Sequence, residues 1–303
     1  MSGKTKLVTA MLTFGSIGLF VRNIPLASSE IALWRGIIGS IFLIALSFLM
    51  GKGIAFRKIK SNALLLILSG AAIGINWILL FEAYNYTTIP NATLSYCFAP
   101  VFVMVLAPFL LKEKLSLSKI TALIMAMLGL VLIIYTGGSD SSADYNHTLG
   151  VCLGLGAAAF YASVVIMNKF IKGLSGFETT LIQLIVAALV LLPYVISQGF
   201  AVMTVDTTSL LLVLILGIVH TGISYYLYFS AVQELEGQTI AVLSYIDPIS
   251  AVVFAALILG EGMSFWQFVG GALILCSTLL SEKGAKVEAK LSTKIKSAKA
   301  TKF

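Results

Sequence analysis

The sequence predicts an all-α integral membrane protein whose ten transmembrane helices form two inverted-topology repeats of five helices. Two observations support this fold class. First, 59% of the 303 residues are hydrophobic and only 11% are charged, whereas soluble domains contain roughly 25% charged residues. Second, two proline-bearing apolar segments, which begin at Cys97 and Tyr245, share one residue pattern at an offset of 148 residues.

Ten apolar segments are long enough, at about 17 to 25 residues, to cross a hydrocarbon layer of about 30 Å as helices. No small-residue cleavage site follows the first of them, so we interpret it as a retained helix and not as a signal peptide. The three cysteines lie in apolar runs without metal-ligand or disulfide spacing, so the sequence predicts no metal site and no cofactor. The ten segments lie at about 6–22, 30–50, 61–84, 90–111, 117–136, 148–170, 178–198, 208–231, 238–259 and 265–281.

The basic residues orient these helices, because cytoplasmic loops of membrane proteins collect Lys and Arg. With the N-terminus inside, all of the 20 basic residues except Arg22 and Arg35 fall on the cytoplasmic side. Both termini are therefore predicted to be cytoplasmic, in a chain that crosses the inner (plasma) membrane. We interpret the basic tail, residues 283–303, as a solvated anchor near anionic headgroups and not as a nucleic-acid-binding arm.

The repeat divides the chain into two predicted domains, at 5–136 and 148–282. At the single offset, Pro100 aligns with Pro248 without a gap. Each copy holds five helices, an odd number, so the second copy must enter the membrane from the opposite side. Inverted repeats of this kind build many transporters.

The duplicated chain carries Pro-x12-Glu at the end of each fourth helix and a Trp34–Arg35 pair in the second helix. With these motifs it resembles the EamA family of the drug/metabolite transporter superfamily. The match covers roughly residues 5–282. It implies a carrier of small metabolites such as amino acids or nucleosides, often an exporter. It also implies a central cavity lined by helices 1, 3, 4, 6, 8 and 9, with helices 5 and 10 at the periphery.

An aspartate occurs in only one copy of the repeat. Asp247 directly precedes Pro248, and its counterpart in the first half is Ala99. A carboxylate at this depth in a membrane is costly unless it faces a cavity or a partner. Asp247 is therefore a candidate to bind a substrate ammonium or to carry a coupling proton. The alternative is a structural pair with Arg35 or with a neighbouring hydroxyl.

Further polar and aromatic residues are candidates to line the cavity. His220 suits a proton relay, although a hydrogen-bonded packing role is the alternative. Ser224 aligns with Asn76, and Tyr225 aligns with Trp77, so both pairs would face each other across the cavity. The full set of substrate-binding candidates is Asn76, Trp77, Tyr96, His220, Ser224, Tyr225, Ser244 and Asp247, with Asp247 and His220 also as coupling residues.

Two prolines and two charges complete the candidate set. Pro100 and Pro248 are predicted near the middle of helices 4 and 9, where each should kink the helix as a gate or as a fixed bend. Arg35 and Glu82 are interpreted as structural charges, with Arg35 paired to Glu30 or Glu82. The alternative for Arg35 is a clamp on a substrate carboxylate.

The sequence thus predicts a secondary-active transporter of small polar metabolites that works by alternating access. An amino acid exporter, with proton coupling through Asp247, is the leading hypothesis. The alternative is a carrier of choline-like or polyamine-like cations, or of nucleosides, on the same fold. The two histidines form no H-E-x-x-H motif, so no enzyme is expected. The expected partners are a small-molecule substrate and the lipid bilayer, without nucleic acid, and the chain would act as a monomer or a homodimer.

Overall fold

Apolar helices dominate the structure. Among the described residues, six helical segments are long and apolar enough to cross a membrane, and two shorter apolar helices accompany them. In the part of the chain that the structure describes, every regular element is a helix, so the chain is a multi-pass helical membrane protein. The basic tail lies outside the described residues. The computed structural model describes residues 1–21, 23–49, 56–87, 92, 95–114, 116–135, 146–199, 206–258, 265–266, 268–274, 276–277 and 280.

The helices are numbered in chain order. The first half contains α1 (Gly3–Gly15), α2 (Ile17–Val21), α3 (Ser28–Leu49), α4 (Phe56–Ser61), α5 (Ala63–Tyr86), α6 (Ala99–Leu110) and α7 (Leu117–Tyr135). The second half contains α8 (His147–Phe170), α9 (Gly176–Ser197), α10 (Thr207–Ile215), a π-helix (Leu216–Ile223), α11 (Ser224–Glu234), α12 (Gly237–Leu243) and α13 (Ile246–Ile258). Residues 268–274 are also helical.

The helix bounds recur at the sequence offset. Helices α3 and α9 each have 22 residues, and they begin at Ser28 and Gly176, which are 148 positions apart. Helices α5 and α11 end at Tyr86 and Glu234, which have the same spacing. The two halves therefore share local structure as well as sequence.

Helices of one half pack against helices of the other half. Helix α9 packs on α5, and α3 packs on the π-helix. Glycines allow the α5–α9 approach, because a Cβ added to Gly70 would lie 2.7 Å from the Cβ of Val186. A Cβ on Gly74 would lie 2.9 Å from the carbonyl oxygen of Ala187. Small residues at such positions let helix backbones approach closely in membranes.

The structure differs from the sequence prediction at the two prolines, where it has helix breaks and not kinks. The predicted helix at 238–259 is divided into α12 and α13, which are separated by Ser244 and Tyr245. Pro248 is the third residue of α13, and Pro100 is the second residue of α6. Proline lacks an N–H and crowds the carbonyl four residues earlier, so the helix restarts with the proline in its first turn, where no N–H donor is needed.

Candidate functional site

A cavity of about 410 Å³ lies among helices of both halves. It extends to Val21 at the end of α2, to Ser28 at the start of α3 and to Tyr84 near the end of α5, which all lie at one end of the bundle. Its charged lining residues are Arg35 and Asp247. Its aromatic lining residues are Phe14, Trp77, Phe81, Tyr84, Tyr96, Tyr161 and Tyr225.

Arg35 lines this cavity from α3, a helix that the family resemblance placed outside it. The Arg35 Nε donates a hydrogen bond to the Thr221 hydroxyl at 3.0 Å. Its guanidinium carbon lies 5.5 Å from the centre of the Trp77 ring, which is within the range of a cation–π contact. The Tyr225 side chain also interacts with Trp77 and Arg35. Arg35 is therefore held at the cavity wall by one hydroxyl and an aromatic pair.

Glu82, which was considered as a partner for Arg35, makes other contacts. Its carboxylate accepts a hydrogen bond from the Tyr194 hydroxyl at 2.6 Å and a longer one, at 3.3 Å, from the Asn85 side chain. The bond from Tyr194 joins α5 to α9. Glu82 thus has a packing role in the structure.

Asp247 lines the same cavity from the first turn of α13. Its backbone amide donates to the Ser244 carbonyl at 3.3 Å, and its backbone carbonyl accepts from the Ser250 hydroxyl at 2.8 Å. The N-terminus of a helix carries a partial positive charge that favours a carboxylate. The break before α13 therefore places Asp247 in the first turn of a helix, where it lines the cavity.

Aromatic side chains form the walls between these two charges. The Trp77 and Tyr225 rings meet edge to face, with centres 6.3 Å apart. Phe14 lies 5.1 Å from Tyr225, and Tyr96 lies 5.9 Å from Tyr161, between ring centres. Such walls suit the apolar part of a substrate or a cation.

Two polar candidates are used in helix packing. Asn76 is 2% exposed, and its side-chain amide donates to the Ala157 carbonyl of α8 at 2.6 Å. The Ser224 hydroxyl donates to the Val219 carbonyl of the preceding π-helix at 2.9 Å. These residues lie behind the cavity wall and hold the helices that carry Trp77 and Tyr225.

His220 lies in the π-helix and contacts the junction of α1 and α2. Its Nε2 is 2.9 Å from the hydroxyl of Ser16, the residue between the two helices. Its ring meets Phe20 edge to face, with centres 4.7 Å apart. His220 is therefore a buried, hydrogen-bonded side chain beside the cavity.

Pro100 and Ser244 line a smaller cavity of about 60 Å³ next to the first. Tyr96, Asp247 and Pro248 line both cavities. The Ser244 hydroxyl donates to a backbone carbonyl of α12 at 2.8 Å. The smaller cavity therefore lies at the helix breaks, with Asp247 between it and the main cavity.

The opposite end of the bundle holds a set of ion pairs, here named the charged cluster: Lys6, Glu113, Lys119, Glu234 and Glu236. Lys6 pairs with Glu234, and Lys119 pairs with Glu236. The Glu113 carboxylate accepts hydrogen bonds from the first two backbone amides of α12 at 2.8 and 3.2 Å. The charged cluster thus ties α1 and the start of α7 to the segment that joins α11 to α12.

Sequence reasoning did not select Thr221, Phe14 or Tyr161. Thr221 aligns with Ile73 of the first half, so the comparison that drew attention to Asp247 would also have found this unmatched hydroxyl. Phe14 and Tyr161 lie in apolar runs, and only packing reveals their contacts. In the described residues, no group of three or more His, Cys, Asp or Glu side chains is arranged to hold a metal ion.

Comparisons with known proteins agree with this architecture. An "Uncharacterized transporter YxxF" of Bacillus subtilis is 30% identical over 283 residues, which cover 91% of this chain and 88% of the relative. A "Probable amino-acid metabolite efflux pump" of Salmonella typhimurium is 26% identical over 198 residues, which cover 61% of this chain and 64% of the relative. A solved structure described as "Crystal structure of protein" has a TM-score of 0.82 at 17% identity and covers 92% of this chain and 95% of its own, so the two share a fold.

The sequence profile of the EamA-like transporter family matches residues 1–135 and 148–282. This match confirms the resemblance that the sequence motifs predicted. Members of the family are transporters and not enzymes. The chain belongs to the EamA-like transporter family.

Proposed function

We propose that this transporter exports a small zwitterionic metabolite, most simply an amino acid, by alternating access. The observation that carries the proposal is that Arg35 and Asp247 line one cavity. A zwitterion offers a carboxylate to the guanidinium and an ammonium to the aspartate, so each charge has a partner. An uncharged ligand would leave both charges without compensation in a desolvated site.

The two charges are absent from the equivalent positions of the repeat. Arg35 aligns with Gln183, which is 0% exposed and donates to the Ser69 hydroxyl at 2.5 Å. Asp247 aligns with Ala99. The duplicated scaffold would thus supply the cavity, while two unmatched residues supply its charge.

In the proposed topology, ten transmembrane helices form inverted repeats at 5–136 and 148–282. The recurring helix bounds and the packing of each half on the other support it. The lysine distribution favours both termini in the cytoplasm, with the chain in the plasma membrane. In that orientation the cavity extends toward the outside, and the charged cluster lies at the cytoplasmic end. This is the arrangement expected of an outward-facing state, in a monomer or a homodimer.

Coupling is proposed to involve Asp247. Its carboxylate can exchange a coupling proton for a substrate ammonium, because both stabilise the same buried group. The breaks that precede Pro100 and Pro248 are the proposed gates, since discontinuous helices form the moving site of many transporters. His220, which contacts Ser16, is a proposed relay beside that site.

The relative from Salmonella typhimurium, named a probable amino-acid metabolite efflux pump, supports the amino acid hypothesis. The alternative substrates are cations such as choline or polyamines, and nucleosides. Asp247 and the aromatic walls suit a cation. The guanidinium of Arg35 in the same cavity opposes a second positive charge, so the zwitterion is favoured.

A thermal-shift screen tests the proposal. The purified protein is unfolded in the presence of amino acids, quaternary ammonium ions, polyamines, nucleosides or organic acids, because a ligand of the folded state raises the melting temperature. We expect a rise that is confined to amino acids and is lost in Asp247→Asn. A rise with quaternary ammonium ions and none with amino acids would favour the cation carrier and contradict the proposal.

A further inference from the structure

We infer that Thr221 of the π-helix is a positioning residue for transport. It fixes the Arg35 guanidinium against Trp77 so that the two terminal nitrogens of Arg35 face the substrate. This inference rests on the proposed function, because it assigns the substrate carboxylate to Arg35. Thr221 is 0% exposed, so it cannot touch a substrate in the cavity. We therefore assign the effect of its hydroxyl on transport to its contact with Arg35.

The Thr221 hydroxyl donates one hydrogen bond and accepts another, and each role has a fixed partner. Its hydroxyl has a single proton, which it donates to the Leu216 carbonyl at 3.0 Å. The oxygen lone pairs are then available as acceptors, and they accept the Arg35 Nε proton at 3.0 Å. Because the first bond fixes the hydroxyl proton, Thr221 presents a permanent acceptor to Arg35.

The π-helix makes this arrangement possible. Leu216 lies five residues before Thr221, and the Ser224 hydroxyl likewise donates to a carbonyl five residues earlier, that of Val219. Short π-helical turns are rare and occur frequently at functional sites. The aligned segment of the first half lies within the continuous helix α5 and carries Ile73 at the equivalent position. The π-helical turn and the Thr221 hydroxyl thus occur together in the second half only, where they lie opposite Arg35.

Close backbone packing prevents Arg35 and Thr221 from separating. A Cβ added to Gly39 of α3 would lie 3.1 Å from both the Gly217 carbonyl and the Thr221 methyl group. A Cβ added to Gly217 would lie 2.5 Å from the Cβ of Ile38. The α3 backbone therefore lies directly on the π-helix, one turn from Arg35.

Fixing Nε determines what the guanidinium can bind. The Nε proton is used by Thr221, so the N–H groups that can meet a substrate are those of the two terminal nitrogens, which lie beside the Tyr225 side chain. Their parallel N–H groups match the two oxygens of a carboxylate. The Trp77 ring contacts the guanidinium at the same time, with 5.5 Å between the guanidinium carbon and the ring centre. Thr221 would thus select for substrates that carry a carboxylate.

A first experiment needs no substrate. The chain has three tryptophans, and replacing Trp34 and Trp266 with Phe leaves Trp77 as the only indole. In this background, we expect the emission of Thr221→Val to match that of Arg35→Ala, because the guanidinium leaves the ring in both. Thr221→Ser retains the hydroxyl and should match the parent. A Thr221→Val spectrum equal to the parent spectrum would overturn the inference.

A second experiment measures selectivity. Each of the twenty proteinogenic amino acids is titrated by thermal shift. For each amino acid that binds, the matching amine, which lacks only the carboxylate, is titrated as well. We expect Thr221→Val to weaken amino acid binding by about tenfold, which corresponds to one lost hydrogen bond to a charged group, and to leave amine binding unchanged. Thr221→Ser should bind as the parent does. Equal weakening of both ligand classes would indicate a purely structural role and contradict the inference.

Two further comparisons separate the possible failures. In Arg35→Ala, the additional change Thr221→Val should cause no further loss of affinity, and a further loss would overturn the inference. If Thr221→Val does not fold, Thr221→Ala replaces it in each experiment. If the parent protein binds no amino acid, the proposed function fails, while the Trp77 emission still decides whether Thr221 positions Arg35.

Discussion

The Tyr245 hydroxyl donates a hydrogen bond to the Cys97 carbonyl at 3.1 Å, and the two residues are 148 positions apart. This separation is the offset of the sequence repeat, so the bond joins equivalent positions of the two halves. Contact between equivalent positions is the geometry expected on a two-fold axis. Both residues lie at helix breaks, so the bond joins the break before α6 to the break before α13.

Tyr245→Phe should lower the free energy of unfolding by about 1 kcal/mol, because the buried Cys97 carbonyl loses its donor while the packing is retained. Thermal unfolding of the purified variant would measure the effect. The control is Tyr226→Phe, at a ring that is 38% exposed. Equal melting temperatures for the two variants would indicate that the bond across the breaks contributes nothing.

Asp247→Asn should abolish concentrative transport in reconstituted vesicles and leave folded protein in the membrane. An amide can neither carry a coupling proton nor pair ionically with an ammonium group. Full activity of this variant would exclude Asp247 from the mechanism.

The matched control for Asp247→Asn is Asp206→Asn. Asp206 caps α10 and accepts a hydrogen bond from the Ser209 amide at 3.2 Å. Hydrogen bonds from Ser209 hold the pKa of the Asp206 carboxyl below its usual value, so it is charged at neutral pH. Asparagine is an equally good N-cap, and this control should transport as the parent does.

Arg35→Gln places a glutamine at position 35, as the second half of the repeat has at the equivalent position, Gln183. We expect amino acid affinity to fall by about tenfold or more, because a charge-assisted bidentate pair is lost. Titration by thermal shift would measure this fall. Gln183→Leu is the control, since Gln183 contacts Ser69 away from the cavity. A Gln183→Leu variant that loses more affinity than Arg35→Gln would argue against the carboxylate site.

The spanning helices could be predicted from the sequence because burial in lipid requires long apolar runs. The segment predicted at 30–50 is Ser28–Leu49 in the structure. Asp247 could be selected because a charge without a repeat counterpart is visible in one sequence. Local hydropathy and the repeat therefore define the scaffold and one charge of the site.

The position of Arg35 could not be predicted in the same way. It faces the cavity because α3 lies directly on the π-helix, and one sequence gives no signal for an i+5 turn. Whether the helix is kinked or broken at Pro248 also depends on tertiary contacts. The Tyr245 hydroxyl provides a donor to the Cys97 carbonyl, and such long-range partners decide whether a broken helix is stable.

Glu113→Ala should lower the free energy of unfolding by about 1 to 2 kcal/mol, as expected for the loss of a helix cap. The carboxylate accepts from the Gly237 and Gln238 amides at 2.8 and 3.2 Å, and α12 has only seven residues. Glu113→Gln keeps one acceptor oxygen, so its free energy of unfolding should fall by less. Lys114→Ala, at a neighbouring exposed side chain, is the control. A Glu113→Ala variant as stable as Lys114→Ala would show that other contacts hold α12.

Gly176→Ala should destabilise the protein by about 1 to 3 kcal/mol, in the range of overpacked sites. The added Cβ would lie 2.7 Å from the backbone N and Cα of Ser230, and backbone atoms cannot move aside as a side chain can. At Gly156 the Cβ would meet only the end of the Leu79 side chain, at 3.4 Å. Gly156→Ala should therefore be neutral or slightly stabilising, since alanine favours a helix. Thermal unfolding of both variants distinguishes them. Equal stability would mean that α9 and α11 can separate without cost, and the close packing of α9 on the helix that carries Tyr225 would then need another explanation.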